Sequence, residues 1–372
     1  LMQWGYAAET PAATAKQIAA AVPEDEATLL AQTQADILHT SGDAVRRAEY
    51  EALLLDVLET PGATDAGIQF ACRQLALIGT STSVPTLAKM MQAGEPSAES
   101  ARFALASIPG AAADEALLTA LSHATGTARI GLIRVFGVRR TPGAVPILTT
   151  LTKDANADQA AAAVAALGRI ATPEAAAAVL AARTPNRAEA LAECAAAMVG
   201  TDNAPVAAAF LPALVDDGAL RLATRTAALR TLLAAAPDVG LKSLDQWLDS
   251  DVPAIASAAV TILTHMPGGA DPGAIIVTRL QGASESTAVM LLAAAGTSRG
   301  VRALPTVQEL AITGPEDSVV RAAAVATLGQ IPADAVSVEL LTDLATTGPG
   351  TLGQLAYGAL VTTPGEDAET LL

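Results

Sequence analysis

A nucleophile, a metal ion or a bound anion each demands particular side chains at particular spacings, and this chain of 372 residues offers few. Its three histidines, His39, His123 and His265, stand in separate segments and share no i,i+4 partner among themselves. Metal binding requires several ligands converging on one ion, which that spacing does not supply. The segment Gly296-Thr297-Ser298-Arg299-Gly300 has the spacing of a nucleophile elbow. That motif acts only where a strand turns sharply into a helix and lifts the serine hydroxyl. Here it follows an apolar helical run, 289–295, and no histidine comes after His265. The expectation is a turn inside a helical repeat, with no catalytic residue, no cofactor and no metal site. Cys72 and Cys194 fall in predicted helices about four repeats apart. Helices pack roughly 8–10 Å apart, so the pair stands far beyond the ~4.4–6.8 Å between Cα atoms of a disulfide. Both are expected to be free, buried thiols.

Arginine carries the remaining chemistry. Arg102, Arg129 and Arg321 each stand eight residues before a glycine, at Gly110, Gly137 and Gly329. Asp317 precedes Arg321 by four residues, the spacing of an ion pair along one helix face. One reading makes these arginines an internal ladder that pairs with acidic groups and satisfies turn carbonyls. The other gathers Arg129, Arg134, Arg139 and Arg140, extended by Arg102, into an anion-binding face, because guanidinium recognises carboxylate and phosphate bidentately. Rare aromatics complete the inventory. Trp247, in the amphipathic run 244–248, is expected in the core, while Trp4, Tyr6 and Tyr357 are candidates for stacking on a groove.

The elements that position these groups recur. Residues 316–331 read as an acidic first turn, then apolar residues at three- and four-residue spacing, then a glycine like a C-terminal cap. The same phrase appears as Gln74 to Gly79, Arg129 to Gly137, Ala160 to Gly168 and Ala195 to Gly200. Helix ends are expected near 79, 110, 137, 168, 200, 234, 266, 296, 329 and 361, in steps of 27 to 34 residues. In phase with them, helices open on Val84-Pro85, Val145-Pro146 and Leu304-Pro305, where proline loses no hydrogen bond. Alanine abundance favours helix, and no sustained period-two alternation marks a strand. A hairpin of about thirty residues cannot bury its apolar face alone, so successive hairpins must stack. The predicted fold is all-α, a single solenoid of about ten hairpins over 24–372, preceded by an N-terminal segment, 1–23, that is either a signal remnant or extended.

Asp317, Val320, Arg321 and Leu328-Gly329 resemble the HEAT-like repeats named after phycobilisome lyases. The resemblance covers 65–361 well and 24–64 loosely; the arginine is replaced at Ala160, Ala192 and Ala288. It implies a right-handed superhelix with first helices outside and second helices lining the concave side. The run Arg129 to Arg140 is similar to repeat regions of exported bacterial proteins that also carry a 3-keto-disaccharide hydrolase-type or haem domain.

Net charge is −16, concentrated at the ends: −8 over 1–66 and −6 over 322–372. Such a chain repels a phosphate backbone, which excludes non-specific nucleic-acid binding. No apolar run reaches the length of a membrane span. Gly5-Tyr6-Ala7 fits the small-x-small end of an export signal, implying a periplasmic or secreted protein; a fragment boundary in a cytoplasmic protein fits the same residues. The function expected is a non-catalytic scaffold whose groove binds a protein partner. The alternatives are a repeat region serving a sugar-active or other catalytic domain, or a carbohydrate- or anion-binding module with a glycan ligand.

Overall fold

The computed structural model describes residues 11–22, 27–92, 94, 96–266, 271–314, 318–332 and 334–363. Among them the chain forms helices and turns with no strand. Contacts divide it into two compact units, Leu1–Ala197 and Met198–Leu372.

Unit 1 runs α1 (Pro11–Ala19), α2 (Ala27–Leu38), α3 (Ala44–Glu59), α4 (Asp65–Ile78), α5 (Val84–Met90) and α6 (Ser97–Ser107). It continues α7 (Ala111–His123), α8 (Gly126–Arg139), α9 (Val145–Leu151), α10 (Ala157–Ile170), α11 (Pro173–Ala181) and α12 (Arg187–Met198). From α3 onward these are hairpins. Second helices pack in series, α4 on α6, α6 on α8 and α8 on α10, while first helices α3, α5 and α7 form the adjoining layer. Helix α1, within 1–23, packs on α3 and α4.

Unit 2 comprises α13 (Ala204–Asp216), α14 (Leu222–Ala235), α15 (Pro237–Leu248), α16 (Pro253–Thr264) and α17 (Pro272–Leu280). It ends α18 (Glu285–Thr297), α19 (Leu304–Thr313), α20 (Val319–Leu328), α21 (Ala335–Thr347) and α22 (Gly350–Thr362). Its second helices repeat the series from α14 through α16, α18 and α20 to α22. Each hairpin meets the next and shares its apolar surface with it. This is the HEAT-like arrangement of a quasi-one-dimensional stack.

Local chemistry starts the helices where the sequence indicates. Pro85, Pro146 and Pro305 sit in the first turns of α5, α9 and α19. Thr64, Asn156 and Ser284 accept backbone N–H bonds as N-caps of α4, α10 and α18. Of the glycines of the repeated phrase, Gly79 and Gly329 are the C-caps of α4 and α20 as expected, whereas Gly137 and Gly168 are not caps. Gly137 and Gly168 lie inside α8 and α10, two residues before the helix ends, and neither has a positive φ. They are contact points: a Cβ on Gly137 would stand 2.9 Å from Cα of Ala166, and one on Gly168 2.6 Å from the carbonyl oxygen of Ala190. The small residue lets neighbouring second helices touch backbone to backbone.

The core columns give a common register. Ala71, Leu75 and Ile78 of α4 correspond to Ala101, Leu105 and Ile108 in and just beyond α6, and to Ala163, Leu167 and Ile170 of α10; all are buried. In α8 the column reads Leu132, Phe136 and Arg139, so an arginine occupies an isoleucine position.

Candidate functional site

Several of the arginines are structural donors at helix ends. Arg139 is the fullest case, its side chain only 8% exposed. Its Nε donates to Asp114 Oδ1 at 2.7 Å, and Nη1 donates to the carbonyls of Leu105 (2.7 Å), Ala106 (3.2 Å) and Ile108 (2.6 Å). The C-terminal carbonyls of α6, which have no partner within their own helix, are thus satisfied from the next hairpin. Arg321 Nε donates to Ala311 O at 2.8 Å, at the end of the first helix of its own hairpin. Asp317, its expected partner, lies outside the described residues.

Arg225 repeats the Arg321 geometry, Nε to Val215 O at 2.8 Å, and also stacks 5.1 Å from the ring centroid of Trp247. Sequence reasoning passed over it because it stands nine residues, not eight, before the degenerate repeat end at 234. Trp247 is buried, as the amphipathic run indicated. Arg47 donates to Leu77 O at 3.0 Å, serving α4 as Arg139 serves α6.

The remaining predicted arginines do not converge. Arg129 reaches Asp154 at 4.0 Å, with its Nε buried and lacking a hydrogen-bond partner. Arg134 is exposed, as is Arg140, which caps α8 in the left-handed region at φ 52°. With about 100° of rotation per residue, Arg134 and Arg139 point to nearly opposite sides of α8.

Arg102 is half-buried and lines a cavity of about 750 Å³ between the hairpins α5/α6 and α7/α8. Its walls are mainly alanine methyls, with Met91 and Leu132; His123 and Gln92 are at the lining too.

The other candidates take structural roles. Ser298 caps α18, its hydroxyl donating to Ala295 O at 3.3 Å, and Arg299 follows at φ 51° into a 3-10 turn. The elbow-like motif is thus a helix-ending turn. His39 bonds the backbone at Ala35 and His265 bonds the Thr264 hydroxyl. Among the described residues no group of three or more metal-ligating side chains is present. No described helix is long and apolar enough to cross a membrane. Cys72 and Cys194 are free and buried. Burial pushes the Cys72 thiol up to about 12; burial, then the neighbouring Glu193 carboxylate, pushes Cys194 up to about 11. Tyr357 is exposed on α22.

An exposed column links the second helices of unit 1. Two and six residues past the leading core position stand Arg73 and Leu77 on α4, Phe103 and Ser107 on α6, Arg134 and Val138 on α8, and Ala165 and Arg169 on α10. Leu77, Phe103 and Val138 are 54%, 55% and 67% exposed. Arg169 pairs with Glu193 at 3.1 Å, whereas Arg73 and Arg134 make no ion pair or hydrogen bond among the described residues.

No family model matches the chain. No curated protein sequence matches it. Among solved structures, human deoxyhypusine hydroxylase in complex with glycerol is similar at 15% identity, covering 76% of this chain and 96% of that one, with a TM-score of 0.29. A likeness that loose transfers no residue role and no activity. The all-helical HEAT-like fold rests on the stacked hairpins themselves.

Proposed function

We propose that this chain is a non-catalytic scaffold that binds a protein partner on the second-helix face of unit 1. The observation carrying this reading is the exposed column of Arg73, Leu77, Phe103, Arg134 and Val138 across adjacent helices α4, α6 and α8. Scattered apolar side chains are ordinary on a surface. Leu77 and Val138 occupy the same repeat position and Phe103 the position one turn earlier, beside the uncompensated guanidinium groups of Arg73 and Arg134, in a chain whose net charge is −16. Large apolar and arginine side chains together are the composition of interface centres.

Rigid presentation supports the reading as well. Arg139 ties α7/α8 to the hairpin before it and Arg47 ties α3 to α4 within one hairpin, so the face is held in one geometry before a partner arrives, which lowers the ordering cost of binding. The test is affinity capture from the native host with the wild-type chain and with F103D and R134E. A stoichiometric partner that wild type retains and both variants lose supports the scaffold, with a loss of about 2 kcal/mol or more at Phe103. Capture indifferent to both substitutions, or product turnover by the isolated chain, overturns it.

A further inference from the structure

We propose that the cavity between α5/α6 and α7/α8 is a small-molecule site for an aliphatic monocarboxylate, a ligand distinct from the protein partner above. The cavity exists because its walls are made of Ala88, Ala98, Ala116, Ala120, Ala124 and Ala128, whose methyl groups leave about 750 Å³ open. Elsewhere in the same hairpins the space between helices is filled by Leu105, Leu117, Leu121 and Ile133, all fully buried. The volume lies within the range of about 300–1,000 Å³ for small-molecule sites, which are apolar with a few convergent polar groups.

Chemistry selects the ligand class. Alanine methyls, the adaptable thioether of Met91 and the Leu132 side chain receive a hydrocarbon tail. The cationic group on this lining is Arg102. Arg102 already takes part in an interaction within the protein, and its five donors let it accept a further acceptor group. Apolar walls strengthen its attraction for an anion relative to water, and the His123 imidazole, on the same lining, offers a second hydrogen-bonding group. A planar guanidinium pairs with a carboxylate through parallel N–H donors, which selects a carboxylate headgroup. The overall charge of −16 repels anions in general, so anion-selective binding has to come from this local site.

The test is calorimetric titration of the full chain with decanoate, decan-1-ol and decylammonium, all below micelle formation. Wild type is expected to bind decanoate saturably at one site, decanol more weakly and decylammonium not at all. R102Q is expected to weaken decanoate at least about tenfold, the loss of one charged hydrogen-bonding group, while leaving decanol within about threefold. A116F on α7 or A128F on α8 fills the cavity and should abolish both, with helicity by circular dichroism unchanged. F103D and R134E should leave decanoate binding as in wild type, so this site and the partner face fail separately. No saturable decanoate binding by wild type, equal binding of decylammonium, or R102Q binding decanoate like wild type would overturn the assignment.

Discussion

Replacing Arg139 with alanine should loosen the junction between α5/α6 and α7/α8 more than any exposed arginine substitution in the chain. The side chain holds Asp114 and three carbonyls at the end of α6, all at 3.2 Å or less. A hydrogen bond to a charged group contributes about 1.5–3 kcal/mol, but four bonds from one guanidinium do not add. Breaking a buried pair costs about 3–5 kcal/mol, which sets a ceiling. Asp114 is 29% exposed, so water recovers part of its solvation, and about 3 kcal/mol is the expected loss. In a stack of nearest-neighbour contacts that loss stays local. Hydrogen exchange should report it as roughly a hundredfold fall in protection over the end of α6 and the start of α7. R134A, whose side chain is exposed, should remain within about 0.5 kcal/mol of wild type. A double-mutant cycle with D114N should show coupling of about 1–2 kcal/mol. Protection in R139A that falls less than threefold, or that matches R134A, would refute the capping role.

Other consequences can be checked in the same preparations. Cys72 and Cys194 should resist a thiol reagent in the folded chain at pH 8 and react on denaturation, because burial disfavours the thiolate. Their raised values have a definite sign: the folded state keeps its thiol protons above the unfolded value near 8.5. Stability contributed by the neutral thiols is therefore complete below that pH and declines from there up to about 11–12, readable in urea midpoints against pH. G168A should cost about 1–3 kcal/mol through overpacking against the Ala190 carbonyl, whereas G143A, with open space around its Cβ, should stay near wild type in the same urea titration. R225A should lower the stability measured by urea titration by about 1 kcal/mol and change Trp247 fluorescence, since the guanidinium lies over that ring; an unchanged emission spectrum would count against the contact.

The fold was legible because its signals are local. Proline in a first turn, a cap side chain and an apolar spacing of three and four are each written within a few residues, and their recurrence gave the hairpin. The glycine phrase was legible as a recurrence, and as a cap at Gly79 and Gly329, but not as a helix contact at Gly137 and Gly168. Gly168 has its decisive neighbour at Ala190, in a different hairpin, and its local sequence looks the same whether it ends a helix or touches one. The arginines at one repeat phase split for the same reason. Arg321 finds a carbonyl of the preceding helix, Arg129 finds Asp154 in the turn between α9 and α10 of the next hairpin, and Arg102 faces a cavity created by alanines on three other helices.

That split follows from a helix placing side chains by angle while a sequence places them by count. The run Arg129 to Arg140 holds four arginines in twelve residues and looks like a cationic patch. Measured from the core residue Leu132, Arg139 is seven positions on, about 20° from the buried direction, and it takes the isoleucine column of the neighbouring repeats. Arg134 is two positions on, about 200° away, and takes the column of Phe103 and Arg73. The same residue type in one short segment is therefore a buried cap in one place and a surface cation in another. What forms a surface in a stacked-hairpin protein is the column that crosses successive helices. The exposed column through α4, α6 and α8 draws its members from residues about thirty apart, and no run along the chain displays them together.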